Sequence, residues 1–347
     1  MIEELFNSIK RGKEGMNIGL PSGLPKLDKY TYGIQRGWLT LFGGDSGSGK
    51  TTLMLYTSVY TPFMHYLRNK DKDSSLDVNF LLFSFEMSKE VLLAKLLSLY
   101  IHETYHKVIS YSTILSLNET ISDEDLQYVE ASKNWLLELE KKCTIIEKQL
   151  TAQQVGVAFK SWSERFGKYE TDGINTTYIP NNPKQFLVVV VDHVKLLAKS
   201  AGHTDKQEID ELSQVAMEAK NLTKSSWALV QQLNRNFKSI ERRKSQWNLV
   251  SMEDFSDTSS TAQAAEIVVA IYHPARERNL RCCGYDFMQL GDNADRARML
   301  LLLKQRFGIA DVAMGTAFYG ETGLWKQLPS PSELQEHPEL YEQYKNL

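Results

Sequence analysis

Cysteine is scarce: the 347 residues hold three, Cys143, Cys282 and Cys283. Three thiols cannot build a disulfide framework, and the adjacent pair Cys282-Cys283 lacks the spacing of a zinc site, which points to a reducing compartment. A long apolar run is also missing. No stretch approaches the ~20 apolar residues that cross a bilayer, and the N-terminus has no apolar signal core. These absences predict a cytoplasmic protein with no membrane partner, in which the Asn175-Thr176-Thr177 sequon carries no glycan. An excess of positive charge is absent too. Lys and Arg number 40 against 43 Asp and Glu, for a net charge of −3. No global basic field marks a nucleic-acid partner, although an assembly can gather positive charge in a local pore. No internal repeat is present. What remains, 42% hydrophobic and 24% charged residues, is the composition of a globular chain with room for one large α/β domain or two smaller ones.

The densest signal is GGDSGSGKTT, residues 43–52, directly after the apolar run Trp38-Leu39-Thr40-Leu41-Phe42. It fits G-x-x-x-x-G-K-[ST], with Gly44, Gly49, Lys50 and Thr51 in the fixed positions. The glycines let the backbone N–H groups of Asp45, Ser46, Gly47 and Ser48 turn inward around a phosphate. A helix opening at Lys50, Thr51 and Thr52 adds its positive dipole end. Lys50 reaches the β- and γ-phosphates, and the Thr51 hydroxyl ligates Mg²⁺. A β-rich run before the loop and a helical run after it supply the strand–loop–helix order that the motif requires. The chain is expected to bind a nucleoside triphosphate.

Along the chain, residues 2–12 place Ile2, Leu5, Phe6 and Ile9 on one helical face, and Gly12 and Gly15 then break the pattern. This stripe folds back on its own domain or docks on a neighbouring subunit. Strands are expected at 38–42, 78–85, 143–147, 186–191, 227–230, 267–272 and 299–304, with 312–318 pairing as a late hairpin strand. Helices are expected after the phosphate loop to about Tyr60, over 89–100, from a cap at Ser122 to about Lys142, and from a capping box at Thr151-Gln154 to a stop at Gly167. Residues 168–184 read as a loop or small insertion, 276–297 as an insertion without a role, and the stretch after Pro329 as a solvated acidic tail. Strands alternating with helices imply a mainly parallel central sheet flanked by helices on both faces.

In such a sheet ligands lie beyond the carboxyl ends of the strands. Three strand ends carry polar groups that could meet the phosphates there. Asp192, after four valines, suits the carboxylate that holds Mg²⁺ beside Thr51. Glu86, at the end of FLLFSFE, is a candidate general base for the attacking water. Gln232, in LVQQLNR, could hydrogen-bond the γ-phosphate or its water.

These residues carry a family resemblance. From about Ser22 to Lys326 the chain resembles the ATPase domain of the DnaB-type replicative helicases, which have a RecA-like core. SGLPKLDKYTYGIQRGWL resembles the leading segment of that domain, FSFEM its glutamate motif (Glu86), VVVVDHVKLL its second nucleotide motif (Asp192) and QLNR its sensor motif (Gln232). DTSSTAQAAEIVVAIYH resembles the segment after its DNA-contacting loop. LLLKQRFG resembles the strand whose lysine and arginine finger act on the neighbouring subunit's ATP, hence Lys304 and Arg306. The resemblance implies a RecA-like P-loop NTPase fold over 19–330, with 1–18 as a helix and linker docking in trans and 331–347 as a tail. It also implies a homohexameric ring, ATP and Mg²⁺ at subunit interfaces, and single-stranded DNA through the pore. A primase or a loader is a further expected partner.

The chain departs from the family in three places. Only about 18 residues precede the core, so the large domain that contacts primase has no counterpart. Phe307 follows the finger arginine where the family has Asn. Ser256 and Ser259 stand where the DNA-contacting loop typically has an arginine and a glycine. The basic loop NRNFKSIERRKSQ, with Arg235, Lys238, Arg242, Arg243 and Lys244, is the alternative DNA contact. A compact helicase of this type suggests a bacteriophage or another mobile element. The competing expectations are a RecA- or RadA-like recombinase or loader that binds DNA without unwinding it, and a module in which ATP only staples an assembly.

Overall fold

A computed structural model describes residues 2–345 apart from Ser74, Asn118, 235–238, 240, 241 and 243–248. Thirteen strands occur among the described residues. They are β1 (Leu39–Gly44), β2 (Asp77–Ser84), β3 (Cys143–Ile146), β4 (Gly167–Thr171), β5 (Thr176–Pro180), β6 (Gln185–Asp192), β7 (Ser226–Gln232), β8 (Ile267–Tyr272), β9 (Arg281–Cys282), β10 (Tyr285–Asp286), β11 (Ala297–Gln305), β12 (Val312–Tyr319) and β13 (Leu324–Gln327). Nine of them form one sheet in the order β13-β12-β11-β8-β1-β7-β6-β2-β3. The six from β8 to β3 pair in parallel, and β11, β12 and β13 extend that sheet antiparallel. Every residue of β6 is buried, as its run of valines requires for a strand covered on both faces.

Register decides what the sheet can do. Gly44 lies opposite Gln232 and Ser84 opposite Asp192, so the carboxyl ends of β1, β7, β6 and β2 meet along one edge. Because β11 runs antiparallel to β8, its last residue, Gln305, pairs with Ile267 at the start of β8. The residues after β11, Arg306 and Phe307 first, therefore lie at the opposite edge.

Several local expectations are revised. The helix after the phosphate loop continues past Tyr60, as Lys50–Leu55, a π-helical turn Tyr56–Tyr60 and Thr61–Asn69. The Thr61 N–H reaches back to the Tyr56 carbonyl, and Pro62 has no N–H to restore the ordinary ladder. The helix expected over 123–142 is two, Asp123–Ala131 and Lys133–Lys142, with the Ser132 hydroxyl donating to the Tyr128 carbonyl at 2.7 Å between them. The Thr151-Gln154 capping box forms, but its helix ends at Ser163 and Gly167 opens β4 instead. Residues 168–184 are not a plain loop: most of them form the β4–β5 hairpin. Nor is the C-terminal stretch solvated. Leu334 and Tyr341 are buried, and the Tyr341 hydroxyl accepts the Asp286 N–H at 3.3 Å.

The first helix, Ile2–Lys13, forms as the spacing implied. Its stripe is bare, from 55% exposed at Ile9 to 72% at Ile2. No helix among the described residues is long and apolar enough to cross a membrane.

A candidate nucleotide-binding site

The phosphate loop joins β1 to the helix Lys50–Leu55. Glycine is required at Gly44, because a Cβ there would stand 2.5 Å from Ser48 Oγ and 3.0 Å from Lys50 Cγ. It is required again at Gly49, which sits at φ +99°, where a Cβ would approach Trp325 Cζ2 to 2.9 Å. Trp325 stacks on Phe318 at 4.5 Å between centroids, so the β12–β13 hairpin buttresses the loop. Lys50 is buried and its Nζ donates across the loop to the Asp45 carbonyl at 2.8 Å. Burial lowers the Lys50 pKa, and the charges of Asp45, Asp192 and Glu86 oppose that effect.

Asp192 ends β6, and its carboxylate is almost inaccessible. Neither of its oxygens accepts a hydrogen bond of normal geometry. Burial pushes its pKa up to about 6, while the nearby Thr51 hydroxyl favours the ionised form. A buried carboxylate without a partner is costly unless something charged completes it. With the Thr51 hydroxyl beside it and the buried, unpartnered Ser48 Oγ in the same loop, the donor set is all oxygen. That set fits a hard divalent cation such as Mg²⁺.

Glu86 lies two residues beyond β2 and is exposed. The turn that carries it is fixed at both ends: the Phe85 N–H donates to the Asp192 carbonyl at 2.8 Å, and the Ser84 hydroxyl to the Met87 carbonyl at 2.7 Å. Glu86 lies close enough to Asp192 that its charge helps raise that residue's pKa. Gln232 ends β7 on the same face as Gly44. Lys50, Thr51, Thr52, Glu86 and Gln232 line one cleft of about 370 Å³ with Ser46, Gly47 and Gly49.

Sequence reasoning missed other residues here. Lys95 and Lys195 also line the cleft. Arg276 donates to the Ser46 carbonyl and lies 3.8 Å from Asp45, and the buried Arg298 donates to the Ser48 carbonyl at 3.1 Å. The segment 276–297, which had no assigned role, thus begins with a residue that braces the phosphate loop. No local pattern marks these four; each is a lone cation brought in by the fold.

Lys304 and Arg306 do not join this cleft. Lys304 Nζ donates to the carbonyls of Ala262 and Gln263 at 3.1 and 2.6 Å. Arg306 pairs with Glu266 at 2.7 Å. Both sit where β8 begins, a full strand length from the phosphate loop, or about 17 Å along six residues. Phe307 stacks on Trp38 at 4.9 Å between centroids and stays largely exposed.

Of the candidate DNA-contacting residues, Arg235, Lys238, Arg243 and Lys244 lie outside the described residues, as do the side chains of Ser256 and Ser259. Arg242 pairs with the buried Asp254 at 2.5 Å and donates to the Leu249 carbonyl at 2.7 Å. Its guanidinium holds this segment together and is not turned to solvent.

Comparison with known proteins agrees with the geometry. Residues 19–167 match the DnaB-like helicase C terminal domain. The replicative DNA helicases DnaB of two strains of Helicobacter pylori are 23% and 24% identical over 279 and 258 residues. Those alignments cover 78% and 73% of this chain, which spans about half the length of these curated relatives, 48% and 43%. The fold matches the solved ATPase domain of a phage DnaB-like helicase with a TM-score of 0.70, at 19% identity and over 95% of this chain and 99% of that one. It also matches a DnaB-like replicative helicase solved for its interactions with primase, with a TM-score of 0.65, at 19% identity and over 94% and 66% of the two chains. The architecture is RecA-like.

Proposed function

We propose, with this DnaB-like helicase relationship as the premise, that the chain is the ATPase motor of a homohexameric ring that translocates on single-stranded DNA during replication. The observation that carries the reading is an active site divided by the sheet. The phosphate loop, Glu86, Asp192 and Gln232 occupy one edge, and Lys304 and Arg306 the other. One chain cannot close its own site, whereas two chains placed edge to edge can.

ATP takes the cleft. Lys50 leaves the Asp45 carbonyl for the β- and γ-phosphates, and Thr51 and Asp192 would hold Mg²⁺. When bound, that ion neutralises phosphate charge and keeps Asp192 ionised. Glu86 accepts a proton from the attacking water, and Gln232 hydrogen-bonds the γ-phosphate or that water. Arg306, with Lys304, reaches in from the adjacent protomer to offset charge in the transition state, a role worth ~10³-fold or more in other nucleotide hydrolases. The bare stripe of Ile2–Lys13 docks on the neighbouring protomer. Residues 19–330 act as the ATPase domain, and the basic loop from Arg235 to Lys244 lines the DNA channel. A primase or a loader meets the ring, which works in the cytoplasm, of a bacterial host if the gene is carried by a phage.

The test mixes two silent chains. Lys50→Ala chains lack a working loop and Arg306→Ala chains lack the finger. Recovery of ATPase activity on mixing, together with unwinding of a forked duplex by the unmodified ring, is the expected result. A mixture that stays silent overturns the divided site, and helical filaments in place of rings favour a recombinase.

A further inference from the structure

Arg306 is not loose at its edge of the sheet. It is held by Glu266, a carboxylate whose side chain is 3% exposed. One Glu266 oxygen accepts the Leu39 N–H at 2.7 Å, at the start of the strand that ends in the phosphate loop. The other takes Arg306 at 2.7 Å and Lys220 at 3.2 Å. Lys220 is itself fixed by donating to the Gly37 carbonyl at 3.1 Å. The backbones are joined as well, since the Arg306 N–H donates to the Glu266 carbonyl at 2.9 Å. The remaining donors of Arg306 go to the carbonyls of Gln263 and Ala264 at 3.2 and 3.1 Å.

This arrangement has a specific chemistry. A buried carboxylate facing one cation is committed to it, because removal of that cation leaves an uncompensated charge. Glu266 faces two. Lys220 neutralises it permanently from the interior, and that allows Arg306, 39% exposed on the outer side, to hold the same oxygen or turn outward without stranding a charge.

We propose that Glu266 is the positioning residue for Arg306: it fixes the guanidinium at the edge of the sheet, aimed away from its own chain, with Lys220 keeping the carboxylate ionised. This rests on the divided site proposed above, and adds that the finger is preorganised by a residue of the chain that donates it. Misplacing a reacting group by ~1 Å can cost on the order of 100-fold in rate, so the hold on a long, exposed arginine has kinetic consequences.

The experiment exploits direction. Glu266 also anchors β1 through Leu39, a role that would act within the chain that binds ATP. Finger positioning acts on the next chain. Glu266→Gln, which preserves an acceptor for the Leu39 N–H, is therefore placed in one partner of the mixed assembly at a time. In the first mixture it accompanies Lys50→Ala in the finger-donating chain; in the second it accompanies Arg306→Ala in the ATP-binding chain. The expected result is a fall in kcat of ~10- to 100-fold in the first mixture, with KM for ATP unchanged, and no change in the second. Equal losses in both, a loss in the second alone, or no loss in either overturns the proposal. So does a Glu266→Gln chain that no longer co-assembles by native mass spectrometry, which would make the residue a fold anchor. The mixture with Glu266 intact separates the two ideas: if it is silent, the divided site itself fails, whereas if it is active and direction makes no difference, only the role of Glu266 falls.

Discussion

The ring of Phe255 fills the space that a side chain at position 43 would need: a Cβ on Gly43 would stand 2.2 Å from Phe255 Cζ. Phe255 is fully buried in the turn Met252–Thr258, and its neighbour Asp254 accepts the Asn234 N–H at 2.9 Å through its carbonyl. The segment following the basic loop is thus seated on the strand that ends in the phosphate loop. Gly43→Ala should cost ~1–3 kcal/mol by overpacking. Adding Phe255→Leu should recover part of that cost, a non-additivity expected for groups in contact. Urea unfolding of the two single variants and the double variant measures it.

Glu86→Gln keeps the shape of the side chain and removes its ability to take a proton. Phosphate release should fall by ~10²-fold or more, while binding of a fluorescent ATP analogue persists. Unchanged turnover would leave ATP as a staple of the assembly and not its fuel.

His273 ends its strand buried, with Nε2 3.1 Å from the Asp295 carbonyl oxygen and from its Oδ1. Burial, aided by the charges of Arg298 and Arg276, lowers its pKa from 6.5 to about 4. The unfolded chain therefore takes up a proton that the folded chain refuses. The contribution of His273 is fully present above pH 6.5 and is lost as pH falls towards 4, by on the order of 1 kcal/mol per pH unit. Thermal unfolding between pH 7 and pH 4.5 should show this decline, and His273→Gln should flatten it.

Replacing Ile2, Leu5, Phe6 and Ile9 together by Ser should leave the fold of an isolated chain intact, since all four are exposed on it. It should abolish or strongly weaken assembly. Sedimentation velocity with ATP and Mg²⁺ reads the difference. A fully assembled quadruple variant would mean that the stripe has another use.

The sequence made the loading edge legible for a physical reason. In a parallel sheet the residue after each buried run is delivered to the same place, so a glycine loop, Glu86, Asp192 and Gln232 at successive strand ends converge without knowledge of the packing. The β4–β5 hairpin was illegible because its polar, Thr- and Tyr-rich strands bury little and show no apolar alternation. Glu266, Arg276 and Arg298 were illegible because an isolated charge has no periodicity. Their partners lie 40, 230 and 250 residues away. Arg242 looked like part of a solvated basic run, and only the fold supplies Asp254, twelve residues on, as its counter-ion.

The separation of Lys50 and Arg306 by the length of the sheet also sets an arithmetic of dosage. In a closed assembly of such chains every chain belongs to two sites, lending a loop to one and a finger to the other. A chain defective in both disables two sites at once. When such chains are mixed at random with sound ones, the fraction of working sites falls as the square of the sound fraction. A minority of poisoned copies thus silences far more of the assembly than its own share.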